Sequence, residues 1–298
     1  MMLSTITLNA TFRMAAPLLL GIAGYVFCNK AGIMNIALES FMLIAAFFAL
    51  LGSYFTKSYW IGMMCGILAG LILSALYGLF VFHLGANPLI TGVGFNSSGW
   101  GLTTMLLVAI FKSRGASGTG AVSFKTIDVP IINSIPFIKD IFNNHTILVY
   151  MAPVLIIIAH IIMTKTIFGL RIRSVGLKAQ AAETAGVSVI KYKWIAMLVS
   201  GATMGLAGTF LSLNSLAMFS ENMSGGRGFM VMASVMVANG NPLLAMLYGF
   251  IFAYCEALSL VWSGLGVPTQ LTGMLPYAAV LVVLFISNIK NYKKLGKI

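Results

Sequence analysis

The sequence predicts an all-α protein, a polytopic transmembrane helical bundle of about 8–9 membrane crossings built as two inverted four-helix repeats. Three observations predict it: an apolar composition, apolar runs set between basic clusters, and a repeated nonapeptide. Of the 298 residues, 59% are hydrophobic and 8% charged, and mean hydropathy is +0.98. No soluble domain of this length carries so little polar surface. No linker divides the chain, so residues 1–298 read as a single transmembrane domain.

Runs of about 20 apolar residues place the spans. They fall near 11–28, 33–53, 59–83, 88–111, 146–164, 192–214, 242–263 and 272–289, with a shorter apolar piece at 229–239. The first 12 residues lack the basic start of a signal peptide, so the first run is expected to stay as a span. The 31 glycines are spread through these runs, as expected where helices pack closely in a membrane. Residues 112–145 break the pattern. Ser113 to Gly120 is rich in Gly and Ser, and Pro130 and Pro136 follow, so an irregular loop is expected there.

Basic clusters set the orientation. Lys165, Arg171, Arg173, Lys178, Lys191 and Lys193 stand against Glu183 alone, and the tail carries Lys290, Lys293, Lys294 and Lys297. Both clusters are expected on the cytoplasmic side of a plasma membrane. Because 192–214, 242–263 and 272–289 lie between them, the short piece at 229–239 has to cross as well. The same reckoning puts the C-terminus inside, the N-terminus outside and loop 112–145 outside. That loop holds Lys112, Arg114, Lys125 and Lys139 against Asp128 and Asp140.

Within the cytoplasmic loop 165–191, Arg171 to Gly186 is a polar island of small residues. Ala179 to Ala185 has the composition of a short helix closed by Gly186, which reads as a docking helix for a partner.

The chain also repeats itself. Leu84-Gly-Ala-Asn-Pro-Leu-Ile-Thr-Gly92 and Leu265-Gly-Val-Pro-Thr-Gln-Leu-Thr-Gly273 share Leu, Gly, Thr and Gly in register, with Ile against Leu at a fifth place. Each copy follows a long apolar span. Each of those spans is preceded by a shorter one opening on small residues, Gly32 to Ser40 in one half and Ser224 to Phe229 in the other. The halves are expected at about 11–111 and 192–289, and the odd connecting span 146–164 inverts the second relative to the first.

No catalytic residues are expected. There is no G-x-x-x-x-G-K-[ST] phosphate loop, so the chain is not expected to hydrolyse ATP itself. His83, His145 and His160 are isolated, Cys28, Cys65 and Cys255 are far apart, and no spacing suits a metal, so neither metal nor cofactor is expected. The net charge of +12 sits between apolar runs and marks orientation, not nucleic-acid binding.

Ionisable groups at membrane depth are costly unless paired or facing a wet cavity, so they are the candidates for a path. Glu39 could pair with Lys30, cap a broken helix at Asn35, or line the path. Glu256 could make an interhelical bond or touch the solute. Asn96, with Ser97 and Ser98, offers polar contact to a solute or forms a polar seam between helices. Arg227, among glycines, is expected on the outer side, meeting a partner protein or lipid headgroups.

Asn29 to Glu39, Arg173-Ser-Val-Gly176 with Ala181 to Gly186, Gly226-Arg-Gly-Phe229 and Asn241-Pro242 together resemble the permease subunits of ATP-binding-cassette importers in the branched-chain amino acid, ribose and nucleoside group. The resemblance covers nearly the whole chain and is nearest to the shorter permease of nucleoside or simple-sugar importers. It departs at Leu177 to Gln180, where the family is more polar and often has Pro. It implies a permease that works over cytoplasmic ATP-binding subunits, pairs with a second, longer permease subunit and takes its solute from a substrate-binding lipoprotein. On this reading Arg173, Gly176, Ala182, Glu183 and Gly186 couple to the ATPase, and Asn35, Glu39, Asn96 and Glu256 border the path. An ion-coupled secondary transporter suits the repeat and the buried acids equally, but has no need of the 171–186 island. A membrane scaffold needs none of these features.

Overall fold

The computed structural model describes residues 5–127, 141–214, 217–283 and 285. Seven of its helices are long and apolar enough to cross a membrane: α1 (Thr5–Lys30), α2 (Leu38–Thr56), α3 (Tyr59–Gly78, wound on through a π-helical turn to His83), α4 (Pro88–Phe111), α5 (Ile147–Lys165), α8 (Val189–Leu213) and α10 (Pro242–Gly264). Between α5 and α8 lie two short helices, α6 (Ile167–Leu177) and α7 (Ala179–Thr184). Two shorter apolar helices complete the bundle: α9 (Arg227–Val237), and a piece from Leu271 to Val283 that begins within α11 (Thr269–Gly273). Each expected span overlaps a helix, the last of them, 272–289, over its described residues. The four tail lysines, and Asp128, Pro130, Pro136, Lys139 and Asp140, lie outside the described residues. Among the described residues, one pairing of two-residue strands departs from all-α: β1 (Thr126–Ile127) runs antiparallel to β2 (His145–Thr146).

The core is the trio α1, α2 and α8, the most enclosed of the seven long helices. Glycine permits their close approach. Gly62, Gly66 and Gly70 stripe one face of α3, and a Cβ at Gly70 would stand 2.2 Å from Gly201 O of α8. A Cβ at Gly208 would stand 2.3 Å from Met42 O of α2. Helices in lipid gain little from apolar attraction to one another, so such small-residue contacts carry much of the packing. The peripheral helices α3, α4, α5 and α10 expose Leu68, Ile90, Met105, Val154 and Leu247, as a lipid-facing surface requires.

Two helices begin inside the bundle. α1 closes where Ile33 N donates to Cys28 O at 2.9 Å, Gly32 takes φ +72°, and residues 31–37 run non-helically to α2. The second interruption precedes α9, where Gly225 and Gly226 adopt φ +53° and +80°. Loop 112–127 packs over one end of the bundle and ties down the approach to α9. Ser117 N donates to Phe219 O, Phe219 N donates back to Ser117 Oγ, and Glu221 N donates to Gly115 O. We call this the loop end, and the end holding Lys30, Lys165 and α6–α7 the basic end.

Candidate functional site

The two interrupted helices meet. Glu39, in the first turn of α2, accepts from Gly226 N at 2.7 Å and from Gly228 N at 2.8 Å, so both carboxylate oxygens close the N-terminus of α9. A carboxylate there offsets the unpaired N–H groups and the positive end of the helix dipole. The approach needs glycine: a Cβ at Gly228 would stand 2.4 Å from Glu39 N. Arg227 pairs with Glu256, and its Nη1 also donates to Met223 O at 2.9 Å. Glu256 stands fourteen residues into α10, about 21 Å of helical rise from its basic-end start, so the ion pair lies well inside the bundle.

Polar side chains brace both interruptions. Asn35, fully buried, accepts from Ala37 N at 2.9 Å through Oδ1, shaping the turn into α2. Asn96 donates to Ile36 O and accepts from Ser40 N, both at 3.0 Å. Tyr77, also fully buried, holds its hydroxyl 3.0 Å from both Met34 O and Pro88 O. At the second interruption the Tyr277 hydroxyl donates to Gly225 O at 2.7 Å.

At the basic end three segments converge. A Cβ at Gly176, in the last turn of α6, would stand 2.0 Å from Lys30 O and 2.9 Å from Gly32 N, so α6 rests directly on the start of the first interruption. Lys30 Nζ donates to Asn239 O at 2.7 Å, just beyond the end of α9. From Gly176 the chain passes Leu177, 87% exposed, into α7. Ala182 turns inward and is buried, Glu183 is exposed, and Gly186 takes φ +78° as the helix closes. Arg173 is half-buried, and its Nε has no hydrogen-bond partner. A cavity of about 250 Å³ beside the interruption is lined by Gly32, Ile33, Met34, Pro88 and Lys193 among others. A more polar cavity of about 360 Å³ lies far from the ion pair, at the loop end beside Arg13, His145 and Asn214.

The geometry bears on several sequence expectations. Glu39 does not pair with Lys30: its oxygens reach the backbone of α9, while Lys30 reaches Asn239 O. Arg227, expected among glycines on the outer side, pairs with Glu256. The amide of Asn96 is committed to the backbone of the interruption, the polar-seam alternative. The short helix expected at Ala179 to Ala185 is α7, and a further helix, α6, precedes it, the two parted at Lys178, whose φ of −155° is extended. Sequence reasoning missed Tyr277. The signal was available one turn beyond the repeated nonapeptide: Tyr277 follows Gly273 by four residues, as Asn96 follows Gly92.

Residues 6–284 match the family model described as branched-chain amino acid transport system / permease component. The chain is 30% identical to the nucleoside ABC transporter permease protein NupC of Lactococcus lactis, over 91% of this chain and 88% of that one. It is 28% identical to the guanosine ABC transporter permease protein NupQ of Bacillus subtilis, over 94% and 91%. TsgC13 of Haloferax volcanii, an ABC transporter permease protein assigned to glucose, is 30% identical over 85% and 76%. Among solved structures, a metal-chelate type ABC transporter in an inward-facing conformation has the same fold, with a TM-score of 0.54, 16% identity, and coverage of 93% of this chain and 84% of that one.

Proposed function

The chain belongs to the branched-chain amino acid transport system / permease component family and is a multi-pass ABC transporter permease; from this we propose that it carries a nucleoside or simple sugar across the plasma membrane. Cytoplasmic ATP-binding subunits drive it, a second permease subunit pairs with it as a heterodimer, and a substrate-binding lipoprotein delivers the solute. The substrate class is supported by relatives named for nucleoside, guanosine and glucose transport.

The observation that carries the reading is the continuity at the basic end. An exposed helix pair, bearing Leu177 and Glu183 on its surface, rests through Gly176 on the start of the interruption that leads to Glu39. A subunit that grips α7 therefore has a short mechanical route to the junction of α2 and α9. Arg173, Ala182 and Gly186 shape that grip, and Lys30 extends the route to the end of α9. The basic end is cytoplasmic on this reading, the loop end faces the lipoprotein, and the N-terminus lies outside. α9 and the last apolar helix complete nine crossings in two inverted halves. Solute passes beside Asn35, Glu39, Asn96 and Glu256, with Arg227 meeting it from the receptor side of the junction. Interrupted helices suit such a path because their free backbone groups need protein or water as partners.

Uptake in vesicles reconstituted with the ATPase, second permease and receptor tests the reading. Glu183→Arg puts a third positive charge beside Arg173 and Lys178, and is expected to abolish ATP-driven uptake with insertion intact. Normal uptake by that variant would refute the coupling role.

A further inference from the structure

The ion pair of Arg227 and Glu256 leaves bonding capacity unused. Arg227 places Nη1 on the carbonyls of Met223 and Ser224 and Nη2 on Glu256 Oε1, while its Nε has no partner among the described residues. Glu256 Oε2 and the hydroxyl of Ser224 are also buried and find no partner among the described residues, and Ser224 is fully enclosed. An unmet buried donor or acceptor is destabilising. A buried ion pair is often no better than apolar packing of the same volume. Three unmet polar atoms on one ion pair and its neighbour exceed what a structural brace needs, but they suit a group that finds its partners when the junction opens. Glu39 and Tyr277 are not such groups, because their oxygens are already committed to the backbone at Gly225 to Gly228.

We infer that Ser224, Arg227 and Glu256 form a transit site for the vicinal diol of a ribose or simple sugar, an inference that rests on the transport function proposed above. One hydroxyl of the diol donates to Glu256 Oε2, its neighbour accepts from Arg227 Nε, and Ser224 Oγ supplies the third bond. Two adjacent oxygens, one donating and one accepting, match an acceptor and a donor carried by one ion pair. A lone hydroxyl meets only half of it. An anionic solute competes with Glu256 for Arg227 and is repelled by the free oxygen, so the site favours uncharged polyols. Binding stays weak because the ion pair re-forms as the solute leaves.

The test compares maximal uptake per loaded receptor for guanosine, 2′-deoxyguanosine and 2′,3′-dideoxyguanosine, or methyl glucoside against methyl 3-deoxyglucoside, whose remaining hydroxyls are not adjacent, in the reconstituted complex, with receptor binding of each solute measured separately. The wild type is expected to carry the intact diol about two- to tenfold faster than the form lacking it, the worth of one hydrogen bond. Ser224→Ala, which breaks no bond of the closed junction, is expected to narrow that ratio, and Glu256→Gln to erase it. Equal wild-type rates across a series, or an unchanged ratio in a well-inserted Ser224→Ala complex, would overturn the site while leaving transport itself intact. A wild-type complex that moves no nucleoside or hexose would overturn the transport reading and the site together, and the wild-type rate alone tells these cases apart.

Discussion

Asn96 and Tyr277 make the same contact at the two interruptions, each donating to the carbonyl two residues ahead of the first helical residue. Asn96 bonds Ile36 O ahead of Leu38, and Tyr277 bonds Gly225 O ahead of Arg227. Each stands four residues beyond a Thr-Gly pair, Thr91-Gly92 and Thr272-Gly273. The clamps differ in strength. Asn96 adds a second bond to Ser40 N, whereas the Tyr277 ring is 47% exposed and makes one. Asn96 therefore holds the approach to α2 by two bonds where Tyr277 holds the approach to α9 by one.

Asn96→Ala leaves Ile36 O and Ser40 N without partners and is expected to destabilise by about 2–4 kcal/mol, against about 0.5–1.5 kcal/mol for Tyr277→Phe. Thermal unfolding of the purified proteins in one detergent gives the order, and an equal or larger shift for Tyr277→Phe contradicts it. Asn96→Ala should also slow uptake without changing receptor affinity.

Glu39→Gln keeps the shape of the side chain but can offer only one acceptor oxygen to Gly226 N and Gly228 N, turning its amide N–H groups on the other. The lost charge-assisted bond and helix-end charge are expected to cost about 1.5–3 kcal/mol. Assembly or opening of the complex should fail before solute recognition does. Glu39→Gln complexes with wild-type yield, melting temperature and uptake would show that the carboxylate is not needed at the junction.

The loop end should be sensitive to acid through His145. Its side chain is buried, and burial is the main cause of a pKa below the ordinary histidine value; the Ile141 carbonyl opposes the fall and the Arg13 charge adds to it. The folded protein therefore holds this proton more weakly than the unfolded chain, where histidine titrates near about 6.5. The stability contributed is fully present above that value and is lost as pH falls through the lower, folded pKa. With only six acidic residues in the chain, few carboxylates obscure the effect. Melting temperatures measured from pH 7.5 to pH 5 should fall for the wild type and fall less for His145→Gln; parallel curves would exclude His145 as the cause.

Span positions were legible because a membrane demands about 20 apolar residues per crossing, and the basic runs mark where crossings stop. Gly186 was legible as a helix end because a left-handed closing residue favours glycine, and it takes φ +78°. The partners of Glu39 were not, since they lie 187 and 189 residues away on a helix whose start no local pattern aligns with α2. Ser117 shows the same limit. Its Gly- and Ser-rich surroundings read as an open loop, yet it is 1% exposed because it pairs with Phe219 across the loop end. Polarity marks which residues need partners, and only the fold decides which partners they find.

The contact between Gly176 and Lys30 is where a pull on α7 would reach the path. Gly176→Ala would place a methyl 2.0 Å from Lys30 O, and a backbone carbonyl cannot swing aside as a side chain can. Either α6 lifts away from the interruption or residues 30–32 shift, and both alter the register between α7 and the start of α2. Lys30→Met removes only the bond to Asn239 O and keeps most of the side chain's bulk, so it tests the branch to α9 separately. Gly176→Ala is expected to let the ATPase subunits bind and hydrolyse ATP while uptake per ATP falls at least about tenfold, a coupling loss of about 1.4 kcal/mol. Lys30→Met should give a smaller fall in the same ratio. Uptake and hydrolysis measured on one vesicle preparation decide it: a proportional loss of both activities would mean that Gly176 serves assembly, and an unchanged ratio in both variants would remove this contact from the route between ATPase and path.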